Sequence, residues 1–113
     1  MKINPTTLSW TAPTTNVDGS PIDYELEYEV GIEPKDVEAE VGYYKPIATI
    51  PGQLRANERY EAPISELPLE YGENTIALRS FKKAVPELVS QWSDPVTFML
   101  QPVPERPLEL RVT

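Results

Sequence analysis

The chain has 113 residues, 13 of them proline and 5 glycine, with no cysteine and no histidine, and 18 acidic against 10 basic residues leave a net charge of −8. That length suits one compact domain, and the missing residue types exclude disulfides, thiolate nucleophiles, imidazole bases and Cys/His zinc sites. The negative charge repels phosphate backbones and anionic lipid, so neither nucleic acid nor a membrane is an expected partner.

The first residues, Met1-Lys2-Ile3-Asn4-Pro5, hold no apolar run of signal-peptide length. No later window is apolar enough to span a bilayer. Prolines recur along the whole chain, and because each removes a backbone donor and fixes φ they leave no interval for a long helix. An all-β chain is expected. The first strand covers residues 6–11, with Leu8 and Trp10 inward, and Asp18-Gly19-Ser20-Pro21 supplies a tight reversal after it.

The clearest period-two pattern runs over residues 22–33. Ile22, Tyr24, Leu26, Tyr28, Val30 and Ile32 alternate there with Asp23, Glu25, Glu27, Glu29, Gly31 and Glu33. One face belongs on a core and the acidic face in water. Further strands are expected over residues 41–50, 59–67, 74–82 and 93–100, the last with Val96, Phe98 and Leu100 inward. Pro51-Gly52 and residues 71–74 are the intervening bends. Six or seven short strands at this spacing predict a β-sandwich of two antiparallel sheets over residues 1–100. Trp10, Tyr24, Leu26, Tyr28, Ile76, Leu78 and Phe98 are its expected core.

Three other constellations invite a functional reading. Nine carboxylates between Asp18 and Glu40 (Asp18, Asp23, Glu25, Glu27, Glu29, Glu33, Asp36, Glu38, Glu40) face a single basic residue, Lys35. Spacing along a strand is wrong for a calcium loop, which gathers oxygens around one point. The row reads better as a solvated sheet face, neutralised across strands by Arg79 and by Lys82 or Lys83. Tyr43, Tyr44, Tyr60, Tyr71, Phe81 and Trp92 could include a sugar-stacking platform, but adjacent Tyr43 and Tyr44 point to opposite faces. The segment 82–91, with Pro86, Leu88 and Val89, is either a protein contact or a satellite core. Without an imidazole, a thiolate or a glycine-rich phosphate loop, no catalytic residue, metal or cofactor is expected.

Leu8-Ser9-Trp10-Thr11-Ala12-Pro13 followed by Asp18-Gly19-Ser20-Pro21 resembles the B strand and B–C loop of fibronectin type III domains. Residues 74–80 (Asn-Thr-Ile-Ala-Leu-Arg-Ser) are similar to the F strand, and Ser90-Gln91-Trp92-Ser93-Asp94-Pro95-Val96-Thr97-Phe98 to the approach and G strand of bacterial and bacteriophage members. The resemblance covers about residues 6–100 and implies an immunoglobulin-like sandwich. Two departures stand out. Asn74 takes the place of the tyrosine that closes the E–F corner in that family, and only residues 1–5 precede strand B, where an A strand is expected.

An A-strand-like pattern occurs instead at the far end, in residues 101–113. Pro102, Pro104 and Pro107 stiffen an arm in which Leu108, Leu110 and Val112 alternate with Glu109, Arg111 and Thr113. Such a strand is useful only when buried, and Pro104, Pro107, Leu108, Leu110 and Val112 are the candidate partner-binding residues, acting by strand addition to a neighbour. The competing readings are a disordered tail, a tail packed loosely on its own domain, or the linker and first strand of a following repeat. The expected function is that of a non-catalytic structural module of a bacteriophage virion, as head decoration or tail-associated protein. It would be made in the host cytoplasm and contact capsid proteins, tail proteins or its own copies. The competing reading is a carbohydrate-binding or spacer module of a larger extracellular enzyme or adhesin.

Overall fold

A computed structural model describes residues 1–35, 42–51 and 59–113. Its strands are β1 (Lys2–Ile3), β2 (Thr7–Thr11), β3 (Leu26–Ile32), β4 (Lys45–Pro51), β5 (Arg59–Pro63), β6 (Gly72–Lys82), β7 (Val85–Val89) and β8 (Val96–Leu100), with one 3-10 turn at Ile64–Glu66. No α-helix occurs among the described residues. The larger sheet has the order β1-β8-β6-β3-β4, with β7 hairpinned onto the far end of β6, and the smaller consists of β2 and β5. The expected pair of antiparallel sheets therefore needs two corrections. Among the described residues there are eight strands, and β1 runs parallel to β8, making the larger sheet mixed.

The inner faces of the two sheets meet in one core. Val30 of β3, Ile64 and Leu67 after β5, Ile76 of β6 and Phe98 of β8 are buried together, with Leu8, Ile47 and Leu78 packed on them. This arrangement is compatible with a β-sandwich. Trp10 joins the sheets laterally, stacked on Tyr60 and edge-on to Tyr28, with centroids 6.1 and 5.1 Å away. The Tyr28 phenol is buried without a hydrogen-bond partner. Burial pushes its titration above the ordinary value, while the Trp10 indole acts in the opposite sense.

Of the expected core residues, Tyr28, Ile76 and Phe98 are buried, and Leu78 lies against them. Trp10 and Leu26 are half-buried. Tyr24 departs from the alternation, because β3 begins only at Leu26. Thr15 bridges Pro21, the Ile22 amide donates to the Thr14 carbonyl, and the Tyr24 hydroxyl donates to Asn16 Oδ1. Local turn chemistry thus claims residues 14–24 for a separate loop. Lys82 lies over the Tyr24 ring at 4.8 Å.

Proline sets two other corrections. The expected strand 59–67 stops at Pro63 and continues as the 3-10 turn. The strand expected from residue 93 begins at Val96, after Pro95. Ahead of it, serine hydroxyls take over the ladder: Ser93 Oγ accepts the Leu78 N–H at 3.0 Å and Ser90 Oγ the Ser80 N–H at 2.9 Å. Val96 holds the inward phase opposite Ile76 but sits at the rim, 49% exposed. The strand expected over 41–50 is β4, starting after the turn at Gly42, whose φ is 84°. Residue 41, Gly52 of the expected Pro51-Gly52 turn, and Asp36, Glu38 and Glu40 of the acidic block lie outside the described residues.

Asn74 closes the bend before β6. It is 1% exposed, and its amide donates to the carbonyls of Glu70 at 3.0 Å and Gly72 at 3.2 Å. Gly72 itself has φ 109°, a conformation that a side chain would strain.

Candidate interaction surfaces

The arm is the largest exposed apolar feature. Every residue from 101 to 113 is exposed, and Leu108, Leu110 and Val112 are 79%, 96% and 102% accessible. The molecule measures 70 Å in its longest dimension, with a radius of gyration of 17.8 Å, against about 13 Å for a compact chain of this size. Its root is anchored: the Gln101 amide donates to Asn4 Oδ1 at 2.8 Å and the Asn4 amide to the Met99 carbonyl at 2.8 Å. The five candidate arm residues are thus held clear of the domain on one segment. The strand expected at the arm's end is not formed, since no neighbour pairs with its backbone and Glu109 adopts φ 54°. An unpaired strand gains no ladder hydrogen bonds.

Sheet edges differ in how they are protected. Strands β4, β5 and β7 contain Pro46, Pro51, Pro63 and Pro86, which remove donors from an edge and discourage pairing. Strand β2, Thr-Leu-Ser-Trp-Thr, has neither proline nor charge. The Ile64 amide donates to the Thr6 carbonyl, so by the antiparallel alternation Thr6, Leu8 and Trp10 turn their backbone groups to β5. Those of Thr7, Ser9 and Thr11 turn away, and among the described residues no strand pairs with them. On the outer face Arg59 donates to the Ser9 and Thr11 hydroxyls at 3.1 and 3.0 Å. Among the described residues no carboxylate forms an ion pair with it. Sequence reading missed this edge, for which the polar alternation Thr7, Ser9, Thr11 was the available signal.

A groove of about 770 Å³ opens beside the start of β2, where β8 ends and the arm departs. Its apolar wall comes from Pro5, Ile64, Leu67, Leu69 and Leu100.

The outer face of the larger sheet is a packed polar–aromatic cluster. Arg79 Nε donates to Glu29 Oε1 at 2.6 Å, and its guanidinium lies 4.3 Å from the Trp92 ring centroid. Trp92 packs against Tyr44 at 5.6 Å with planes 56° apart, which is not a flat stacking row. Tyr43 and Tyr71 are exposed. Arg79 thus engages the acidic row as expected, and Lys83 approaches Glu25 at 3.4 Å in a solvent-exposed pair of small energetic weight. Among the described residues no three carboxylates converge as a metal set would. The 82–91 segment is the β6–β7 hairpin, and Val85, Leu88 and Val89 are exposed on it rather than forming a satellite core.

In the loop after β2, Asp18 Oδ1 accepts from the Ser20 hydroxyl at 2.6 Å and the Ser20 amide at 2.9 Å. These donors, the hydroxyl first, hold the carboxyl below its ordinary value of 3.8. Since the folded group binds its proton less readily, the loop's stabilisation is complete above pH 3.8 and is lost as pH falls through the depressed folded value. Amide shifts of Gly19 and Ser20 followed by NMR should titrate below that ordinary value, and Asp18→Asn should abolish the transition.

No protein-family model, curated protein or solved structure matches the chain. Among the described residues no helix is long and apolar enough to cross a membrane. The fold and surfaces define an all-β, two-sheet protein with an exposed apolar arm.

Proposed function

We propose that the chain is a non-catalytic interaction module with a fibronectin type III-like fold, carried on a bacteriophage virion as a head-decoration or tail-associated protein. It docks on the larger assembly through the arm. The carrying observation is the row Leu108, Leu110 and Val112, exposed at 79%, 96% and 102% on a segment rooted by Asn4 and Gln101. Apolar side chains presented so fully on a strand-length alternation gain by burial against a partner. The fold reading is supported by Trp10 on β2, which packs edge-on against Tyr28 of the facing sheet.

The test is incorporation. Particles purified from cells expressing the encoding genome should contain the chain at a fixed copy number by quantitative mass spectrometry. The triple variant Leu108→Glu/Leu110→Glu/Val112→Glu should be lost from them while folding normally. Absence of the wild-type chain from the particles contradicts the virion reading, and undiminished incorporation of the triple variant contradicts docking through the arm.

A further inference from the structure

We infer that the free edge of β2 is the acceptor for the arm of a second copy of this chain, with residues 108–112 adding as a strand beside Thr7–Thr11. This rests on the docking role proposed for the arm and supplies its receptor. The edge is five residues long, bounded by Pro5 and Pro13, and presents the backbone groups of Thr7, Ser9 and Thr11 outward. The donor alternation Leu108, Leu110, Val112 is also five residues long and begins directly after Pro107. Among the described residues its backbone donors and acceptors have no partners, and its Glu109 lies in the left-handed region, which strand pairing would relieve.

The side chains match on both faces. A strand added to β2 places alternate residues on the inner face, where Leu8 and Trp10 lie and the apolar groove begins. There Leu108, Leu110 and Val112 bury. The alternate residues Glu109 and Arg111, paired with each other at 3.6 Å, meet the outer face, where Arg59 is held over Ser9 and Thr11 and exchange of the Glu109 carboxylate from Arg111 to Arg59 supplies the opposite charge. The remainder of the chain carries the whole net charge of −8, whereas residues 101–113 hold two acidic and two basic residues. The arm therefore approaches an acidic neighbour without the repulsion that domain-on-domain contact meets. Prolines on β4, β5 and β7, and the two-residue length and lysine of the other edge, β1, leave β2 as the edge suited to accept a five-residue strand. Because donor and acceptor are different surfaces, the contact is heterologous and either closes by reciprocal exchange or propagates as a row.

Sedimentation velocity of the full chain over a concentration series tests this. The wild type should associate, and Leu110→Glu, which removes the donor, and Ser9→Pro, which removes an outward donor of the acceptor edge, should each remain monomeric. A mixture of the two variants should restore association as a heterodimer, since each retains what the other lacks. A monomeric wild type, association of Leu110→Glu like the wild type, or failure of the mixture when both variants are folded by circular dichroism overturns the inference. If Ser9→Pro does not fold, the Leu110→Glu chain serves as acceptor for a peptide of residues 102–113. Adding Arg59→Glu should weaken that binding, and a Glu109→Arg peptide should recover it; absence of peptide binding, or indifference to the charge exchange, overturns the pairing. Arm-dependent incorporation into particles by a wild type that does not self-associate would sink this inference and leave the docking role standing. Self-association without incorporation would do the reverse.

Discussion

Phe98→Ala is expected to lower the free energy of unfolding by about 3–5 kcal/mol. Phe98 is 4% exposed and belongs to the cluster of Val30, Ile64, Leu67 and Ile76, so truncation removes buried apolar surface and leaves a cavity between both sheets. It also lies where the chain's far ends meet, opposite Asn74 on one side and Lys2 on the other. Against a total of about 5–15 kcal/mol for a domain, the loss is a large fraction of stability. Urea unfolding should show a lower midpoint at unchanged slope, and Phe98→Leu should lose less. A change below about 1 kcal/mol would mean that β8 is not packed in the core as described.

Gly31→Ala is expected to cost about 1–3 kcal/mol, through overpacking rather than backbone strain. A Cβ at residue 31 would stand 2.6 and 2.9 Å from two Trp92 ring atoms and 2.8 Å from Tyr44 Cβ. Trp92 cannot easily yield. Arg79 covers its ring, Glu29 pins Arg79, and Tyr44 closes another side. Gly31 also lies at the register shift between β3 and β4, where the strand bends and its twist increases. Shrinking the obstacle should relieve the cost: in a double-mutant cycle, Trp92→Leu should destabilise the Gly31→Ala background less than the wild type. Additive effects of the two changes would remove the steric explanation.

These two residues differ in how readily sequence alone announces them. Phe98 falls on a period-two run after a proline, and its inward phase follows from local pattern. Gly31 occupies the solvent phase of β3 among glutamates, where nothing nearby in sequence signals that Trp92, 61 positions later by residue number, will cover it. The same contrast holds elsewhere. The alternation from Leu26 to Ile32 and in β6 was legible because one face is buried. Tyr24 leaves the alternation because Asn16 and the Thr15–Pro21 bridge outweigh it locally. Pro86 disguised β7, whose short pairing with Phe81 and Lys82 includes a register irregularity.

The candidate surfaces divide along similar lines. The apolar row of the arm is a local pattern, so residues 108–112 could be singled out directly. The β2 edge depends on which strands pair, and pairing partners are distant in sequence: Thr7 lies opposite Pro63. Its lack of proline or charge acquires meaning only beside the prolines of β4, β5 and β7.

The central claim, that the arm is the element by which this protein engages a neighbour, is most directly tested by placing a photo-crosslinking amino acid at position 110 and irradiating the native assembly. Mass spectrometry should find the crosslinks on another polypeptide chain. Crosslinks confined to the parent chain, or none at all while positions on the globular domain crosslink readily, would contradict it.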